Sequence, residues 1–158
     1  MALRSVDLPP DVPGTLLLGA MPARFSSWKS FEAQARQLNL ALVVCLTPRN
    51  EMAELSPNYH LAVNLGELPF RWINAPMPNY GVPDDKASYR HDITEVAQAL
   101  RSGESVMLHC AAGIGRTGST AACVLKALGL DTKEALQRVR LAGSNPENAT
   151  QSGFVDWF

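Results

Sequence analysis

The chain has few features that would set it apart from an ordinary α/β protein. It carries three cysteines among 158 residues, Cys45, Cys110 and Cys123. Scattered in this way they describe neither a disulfide framework nor a zinc site, and a reducing, cytoplasmic compartment is expected. No apolar run approaches the roughly 18 residues of a membrane span. The formal charge of −1 leaves no broad basic surface, so nucleic acid is not an expected partner. Met1 to Pro13 lacks the apolar core of a signal peptide. His60 and His91 have no ligand-type neighbours, so metal binding is not expected there. There is no internal repeat, low-complexity tract or interdomain linker. The expectation is one domain over 1–158, with 1–13 as an extended lead-in marked by Pro9, Pro10, Pro13 and Gly14. A monomer is expected.

The remaining pattern alternates strands with helices. Thr15–Leu18 reads as a strand ending at Gly19, and Ser26 or Ser27 is placed to cap a helix running to about Leu38. Leu40–Leu46 is a continuous apolar run, the mark of a buried parallel strand. Thr47–Glu51 reads as a loop, followed by a short helix over Met52–Leu55 or one beginning near Pro57. Arg71–Ala75 reads as a strand, Lys86–Arg101 as an amphipathic helix and Ser105–Leu108 as a strand. Helices are then expected over Ser119–Leu128, from Asp131 or Thr132 to about Ala142, and from near Pro146. This is an α/β three-layer sandwich with a mostly parallel central sheet flanked by helices.

Between the Ser105–Leu108 strand and the following helix lies His109-Cys110-Ala111-Ala112-Gly113-Ile114-Gly115-Arg116-Thr117-Gly118. Such a junction suits an oxyanion. The backbone N–H groups of Ala111, Ala112, Gly113, Ile114 and Gly115 can converge as a concave nest, and the helix adds its positive end. Arg116 can grip two oxygens with its planar fork, which lysine cannot do. Helix end, N–H donors and arginine all favour a thiolate at Cys110, a good nucleophile. Thr117 can donate to that sulfur and help it leave. His109 reads as an orienting residue rather than a base. The plainer alternative is a glycine-containing turn beside a structural cysteine.

The segment resembles the signature of cysteine-dependent protein tyrosine phosphatases, His-Cys-five residues-Arg-Ser/Thr. The chain's length matches the small dual-specificity group. Leu42–Thr47, the Pro78–Asp85 loop, the spacing to Cys110 and the closing segment resemble the cyclin-dependent-kinase-associated branch, over Leu16–Phe158. The resemblance implies that Cys110 attacks phosphorus to form a phosphocysteine, that Arg116 holds the phosphoryl group, and that no metal or other cofactor is used. It implies a phosphorylated protein as substrate.

The family takes its general acid from an Asp on a mobile loop. Here that loop reads Met77-Pro78-Asn79-Tyr80-Gly81-Val82-Pro83-Asp84-Asp85, and Asn79 stands at the acid's position. An amide donates no proton at neutral pH. Either Asp84, slightly ahead of Asp85, serves instead, or the enzyme manages on good leaving groups, or the chain binds phosphotyrosine with little turnover. Asp84 has a competing use as a helix cap. By the resemblance Gln151 positions the attacking water; otherwise it is an ordinary polar residue. Cys45 is either a redox partner for Cys110 or a small buried hydrophobe. Tyr80 could stack on a phosphotyrosine ring. Trp72, Trp157, Phe158 and Cys123 read as core, and Arg49 as solvated. The lysine-free loop favours phosphotyrosine, then phosphoserine or phosphothreonine, over inositol phosphates that call for extra cations. Rhodanese-like sulfur transfer is a weaker alternative that Arg116-Thr117-Gly118 argues against.

Overall fold

The computed structural model describes residues 2–158, so Met1 of the expected lead-in lies outside the described residues. The elements are β1 (Arg4–Val6), β2 (Thr15–Gly19), α1 (Trp28–Gln37), β3 (Leu40–Cys45), α2 (Arg49–Leu55), α3 (Pro57–Leu65), β4 (Arg71–Asn74), α4 (Lys86–Arg101), β5 (Ser105–His109), α5 (Gly115–Ala127), α6 (Thr132–Leu141) and α7 (Ala149–Trp157). The five strands form one sheet in the order β1-β2-β5-β3-β4. β2, β5, β3 and β4 run parallel, and β1 is antiparallel to β2.

Period-two alternation along the central strands builds the two outer layers. Leu16, Leu18, Leu42, Val44, Val106 and Leu108 face a core shared with α4, α5, α6 and α7. Leu17, Val43 and Met107 point the other way, onto Phe31, Ala35 and Phe70. A strand buried on both faces needs an apolar residue at every position, which is why these segments read as unbroken apolar runs. Among the described residues no helix is long and apolar enough to cross a membrane.

β5 inserts between β2 and β3, so the chain leaves it where the sheet's order reverses, the usual place for a ligand crevice. Gly19 and Cys45 both lie level with His109, and Asn74 lies level with Cys45. The segments leaving these strand ends are stitched together. The Met21 N–H donates to Ala111 O at 3.2 Å, Leu46 N–H to His109 O at 2.9 Å, and Met77 N–H to Leu46 O at 3.1 Å.

Several expectations need correction. Residues 4–6 of the expected lead-in are a sheet strand. The segment Thr47–Glu51 is not all loop: α2 begins at Arg49, and α3 follows it after Ser56, so both suggested helices exist. The helix after the cysteine loop starts at Gly115 rather than Ser119. Gly118 is helical, and a Cβ there would lie 2.5 Å from the Asn145 backbone nitrogen. It is glycine for close packing, not for a turn. The last helix starts at Ala149, capped by Asn148, rather than near Pro146. Trp157 is 57% exposed and is not core.

Candidate active site

Cys110 is the first residue after β5 and is buried. Its Sγ accepts the Thr117 hydroxyl at 3.0 Å and the Gly113 N–H at 3.2 Å. Both donors are oriented to solvate an anionic sulfur. Gly113 holds φ +79, and a Cβ there would lie 2.5 Å from the Gly19 backbone. Here the conformation and the close approach both require glycine. Among the described residues no protein acceptor takes the N–H of Ala111, Ala112, Ile114, Gly115 or Arg116. Unpaired amides at a helix N-terminus form a cradle of the kind that can receive an anion.

Arg116 is 2% exposed. Its Nη1 and Nη2 donate to the two carboxylate oxygens of Glu51 at 3.0 and 2.7 Å, and Nη1 also donates to Met77 O at 3.2 Å. Burial works against the guanidinium's charge, but the Glu51 bonds and the nearby Cys110 sulfur outweigh it and raise the pKa. These three bonds use three of its five N–H groups. The edge made by Nε–H and the second Nη2 hydrogen remains for two oxygens of a ligand. Glu51 therefore aims the arginine and leaves its side-on fork free. Nothing in the sequence marks Glu51, because Thr47–Glu51 reads as a loop, where a glutamate ordinarily meets solvent.

His109 is fully buried, and desolvation lowers its pKa to about 4. Its Nδ1 lies 3.0 Å from Cys110 O and its Nε2 lies 2.8 Å from the Tyr59 hydroxyl. A carbonyl only accepts, so Nδ1 carries the proton and Nε2 accepts from Tyr59. Trp72 Nε1–H completes the chain by donating to Tyr59 Oη at 2.8 Å. The neutral imidazole holds the Cys110 carbonyl. Tyr59 was not singled out by the sequence.

The Pro78–Asp85 segment is built differently. Gly81 N–H donates to Pro78 O at 2.8 Å, closing a turn with Asn79 and Tyr80 at its corners. Tyr80 holds φ +60 and is 59% exposed. Two side chains from the start of α7, its cap Asn148 and Gln151 in its first turn, latch this turn: Asn148 Nδ2 to Tyr80 O at 2.8 Å and Gln151 Nε2 to Gly81 O at 3.2 Å. Gln151 is buried, and its Oε1 accepts the Glu147 N–H at 2.7 Å. Both ends of its amide are thus engaged by protein.

Asn79, Asp84 and Asp85 are exposed. The helix cap is Asp85, not Asp84: its carboxylate accepts the Ser88 N–H at 3.0 Å. Asp84 lines a cavity of about 360 Å³ with Pro48, Asn74, Met77, Tyr89 and Asp92. Cys45 is a buried free thiol level with His109, its Sγ 3.2 Å from Thr47 Oγ1, and burial raises its pKa. Arg49 is exposed, over the Trp72 ring and bonded to Asn64. No cluster of three or more His, Cys, Asp or Glu among the described residues could hold a metal.

The model of the Swiss Army Knife protein, DSP-PTPase phosphatase domain family matches residues 12–153, and the chain belongs to that family. Its sequence is 30% identical to that of 067L of Invertebrate iridescent virus 3, provisionally named a tyrosine phosphatase. That match covers 86% of this chain and 61% of the viral protein, so the chain spans about three fifths of that relative's length. A shorter match of 55 residues, 42% identical, links 31% of the chain to 5% of tyrosine-protein phosphatase 1 of Caenorhabditis elegans. The fold is that of kinase-associated phosphatase, with a TM-score of 0.85 at 18% identity, over 98% of this chain and 92% of that one. It is shared with the human tyrosine phosphatase-like serine/threonine/tyrosine-interacting protein, with a TM-score of 0.70 at 20% identity over 97% and 93% of the two chains.

Proposed function

We propose that the chain is a phosphoprotein phosphatase that hydrolyses phosphotyrosine, with phosphoserine and phosphothreonine as further substrates, through a phosphocysteine intermediate. The observation that carries this reading is the convergence of Cys110 Sγ, the unpaired amides and the free Arg116 edge. The sulfur's lone pair attacks phosphorus while the amides and Arg116 hold the three equatorial oxygens, where charge gathers in the transition state. The bond to the ester oxygen breaks, and that oxygen takes a proton. Water then attacks the phosphocysteine and releases phosphate, and the sulfur departs as a thiolate stabilised by the Thr117 hydroxyl and the Gly113 N–H.

Asp84 is the proposed donor for the departing oxygen, because Asp85 is committed to capping α4. Gln151 reaches an attacking water only after exchanging one of its two present bonds. A protein substrate in a reducing, cytoplasmic setting suits a free thiol and a lysine-free cradle. Cys45, buried beside the loop, is the proposed partner for protecting an oxidised Cys110.

The test is Cys110→Ser with phosphotyrosine peptide and with an activated aryl phosphate. Hydrolysis of both should fall by about 10⁴-fold or more. Wild-type protein quenched during turnover should carry one phosphoryl group on the Cys110 peptide. Full activity in Cys110→Ser would sink the proposal. Asn79 favours a second reading, phosphotyrosine binding with little turnover. It predicts that the wild type cleaves activated aryl phosphate while leaving phosphotyrosine peptide bound and intact.

A further inference from the structure

A strand at the start of the chain reaches the anion cradle. Arg4, on β1, donates from Nη2 to Gly113 O at 2.6 Å. Its Nη1 donates to Ala142 O at 2.7 Å and to Ser144 Oγ at 2.9 Å. The Ser144 hydroxyl then donates to the same Gly113 O at 2.7 Å. Ser144 is buried, and Gly143 leaves room for the guanidinium: a Cβ there would lie 2.9 Å from Arg4 Nη1. Arg4, Ser144 and the Gly113 carbonyl form a closed triangle of three hydrogen bonds.

The peptide plane turns this into a statement about the ligand side. In a trans peptide the C=O and the next N–H point in opposite directions. Two donors hold the Gly113 carbonyl on the β1 and α6 side, so the Ile114 N–H is directed the other way, into the cradle. If this peptide rotated, a carbonyl oxygen would face the phosphate where a donor is required. Such a rotation changes ψ of Gly113 and φ of Ile114, and at Gly113 no side chain restrains it. The Ala111 carbonyl is held in the same way, by Met21 N–H and by Arg24 Nη1 at 2.9 Å. Its neighbour therefore has a backbone anchor. Gly113 O depends on side chains alone among the described residues.

We propose that Arg4 is a positioning residue for the anion cradle: with Ser144 it locks the 113–114 peptide so that the Ile114 N–H donates to a bound oxyanion. The proposal rests on the reading of this loop as a phosphate site. It requires no contact between Arg4 and the substrate.

The test uses tungstate as the oxyanion, with calorimetry for affinity and nuclear magnetic resonance for the Ile114 amide. The wild type should bind tungstate and shift the Ile114 amide signal. Arg4→Met should weaken binding by about tenfold or more, the worth of a charge-assisted hydrogen bond, and should suppress the amide shift. Ser144→Ala should weaken binding by about threefold. A folded Arg4→Met that binds tungstate within twofold of the wild type overturns the proposal, even with a lower Tm, because Arg4 would then only tie β1 to α6. If Arg4→Met does not fold, Ser144→Ala decides, and unchanged affinity there overturns the proposal. Hydrolysis of an aryl phosphate separates this from the phosphatase reading. Arg4-dependent tungstate binding without hydrolysis by the wild type removes the phosphatase reading alone. Hydrolysis with Arg4-independent tungstate binding removes the role of Arg4 alone. A wild type that binds no tungstate removes both.

Discussion

The Cys110 cradle and the Pro78–Asp85 loop belong to the same proposed reaction but are built in opposite ways. The cradle is held by buried or half-buried groups: Thr117 and Gly113 on the sulfur, Glu51 on Arg116, and His109 on the Cys110 carbonyl. The loop exposes Asn79, Tyr80, Asp84 and Asp85, and two side chains at the start of α7 hold its turn by two hydrogen bonds. Attack on phosphorus needs fixed geometry, since misplacement by about 1 Å costs about 10²-fold. Proton donation to a departing oxygen tolerates a segment that closes over the substrate. The difference teaches that the two halves of the reaction draw on separate structural resources and should fail separately.

The largest expected effect within this contrast is on the loop. Asp84→Asn should lower turnover of phosphotyrosine peptide by about 10²- to 10³-fold, the usual worth of a positioned acid. It should leave an activated aryl phosphate, which departs without a proton, almost unaffected. Equal loss on both substrates, or on neither, would break the assignment. Asp85→Asn keeps a competent N-cap and should change neither rate by more than about twofold.

Next comes the cradle. Glu51→Gln removes the ionic partner that aims Arg116. It should lower kcat/KM by about 10²-fold for both substrates alike, because phosphate gripping does not depend on the leaving group. A loss confined to phosphotyrosine peptide would tie Glu51 to protonation instead.

Stability provides a third comparison. His109 sits near pKa 4 when folded against an ordinary 6.5. Below pH 6.5 the unfolded chain takes up a proton that the folded chain refuses. Stability should therefore be fully present above pH 6.5 and fall towards pH 4, by about 3 kcal/mol from this residue. Urea unfolding of wild type and His109→Gln across that window tests it. The wild type should lose more stability on acidification than the variant, and parallel profiles would show that His109 is not held neutral.

The smallest effect is expected at the latch. Asn148→Asp keeps the carbonyl-type oxygen that caps α7 and removes the donor to Tyr80 O. Turnover of phosphotyrosine peptide should change by about two- to fivefold, the worth of one exposed hydrogen bond, with tungstate affinity unchanged. A loss in tungstate affinity would show that loop and cradle are not independent.

The particular residues show why some of this was legible in the chain. The helix over Lys86–Arg101 matches its expected bounds because its apolar stripe and its cap are local signals. The signature His109–Gly118 holds the cysteine, the arginine and the loop amides within one short segment, so spacing alone singles it out. Helix α2 was missed at its start because Pro48 and Arg49 read as loop. With it went the meaning of Glu51, 65 residues from the arginine it aims. Arg4 lies 109 residues from the carbonyl it holds, inside a segment that proline and glycine made look unstructured. Its strand is three residues long, too short for period-two alternation to show.

The sequence by itself determined the parallel α/β layering, the cysteine–arginine signature and the Asn79 of the Pro78–Asp85 loop. Each is written in neighbouring residues, where periodicity and motif spacing act directly. Only the tertiary structure decided which carboxylate aims Arg116, which aspartate is spent on a helix cap, what latches the Pro78–Asp85 loop and what holds the Gly113 carbonyl. Those contacts join strand ends and helix starts that are distant in the chain. Insertion of β5 between β2 and β3 brings them together, and hydrogen bonds between distant residues leave no local periodicity in either partner.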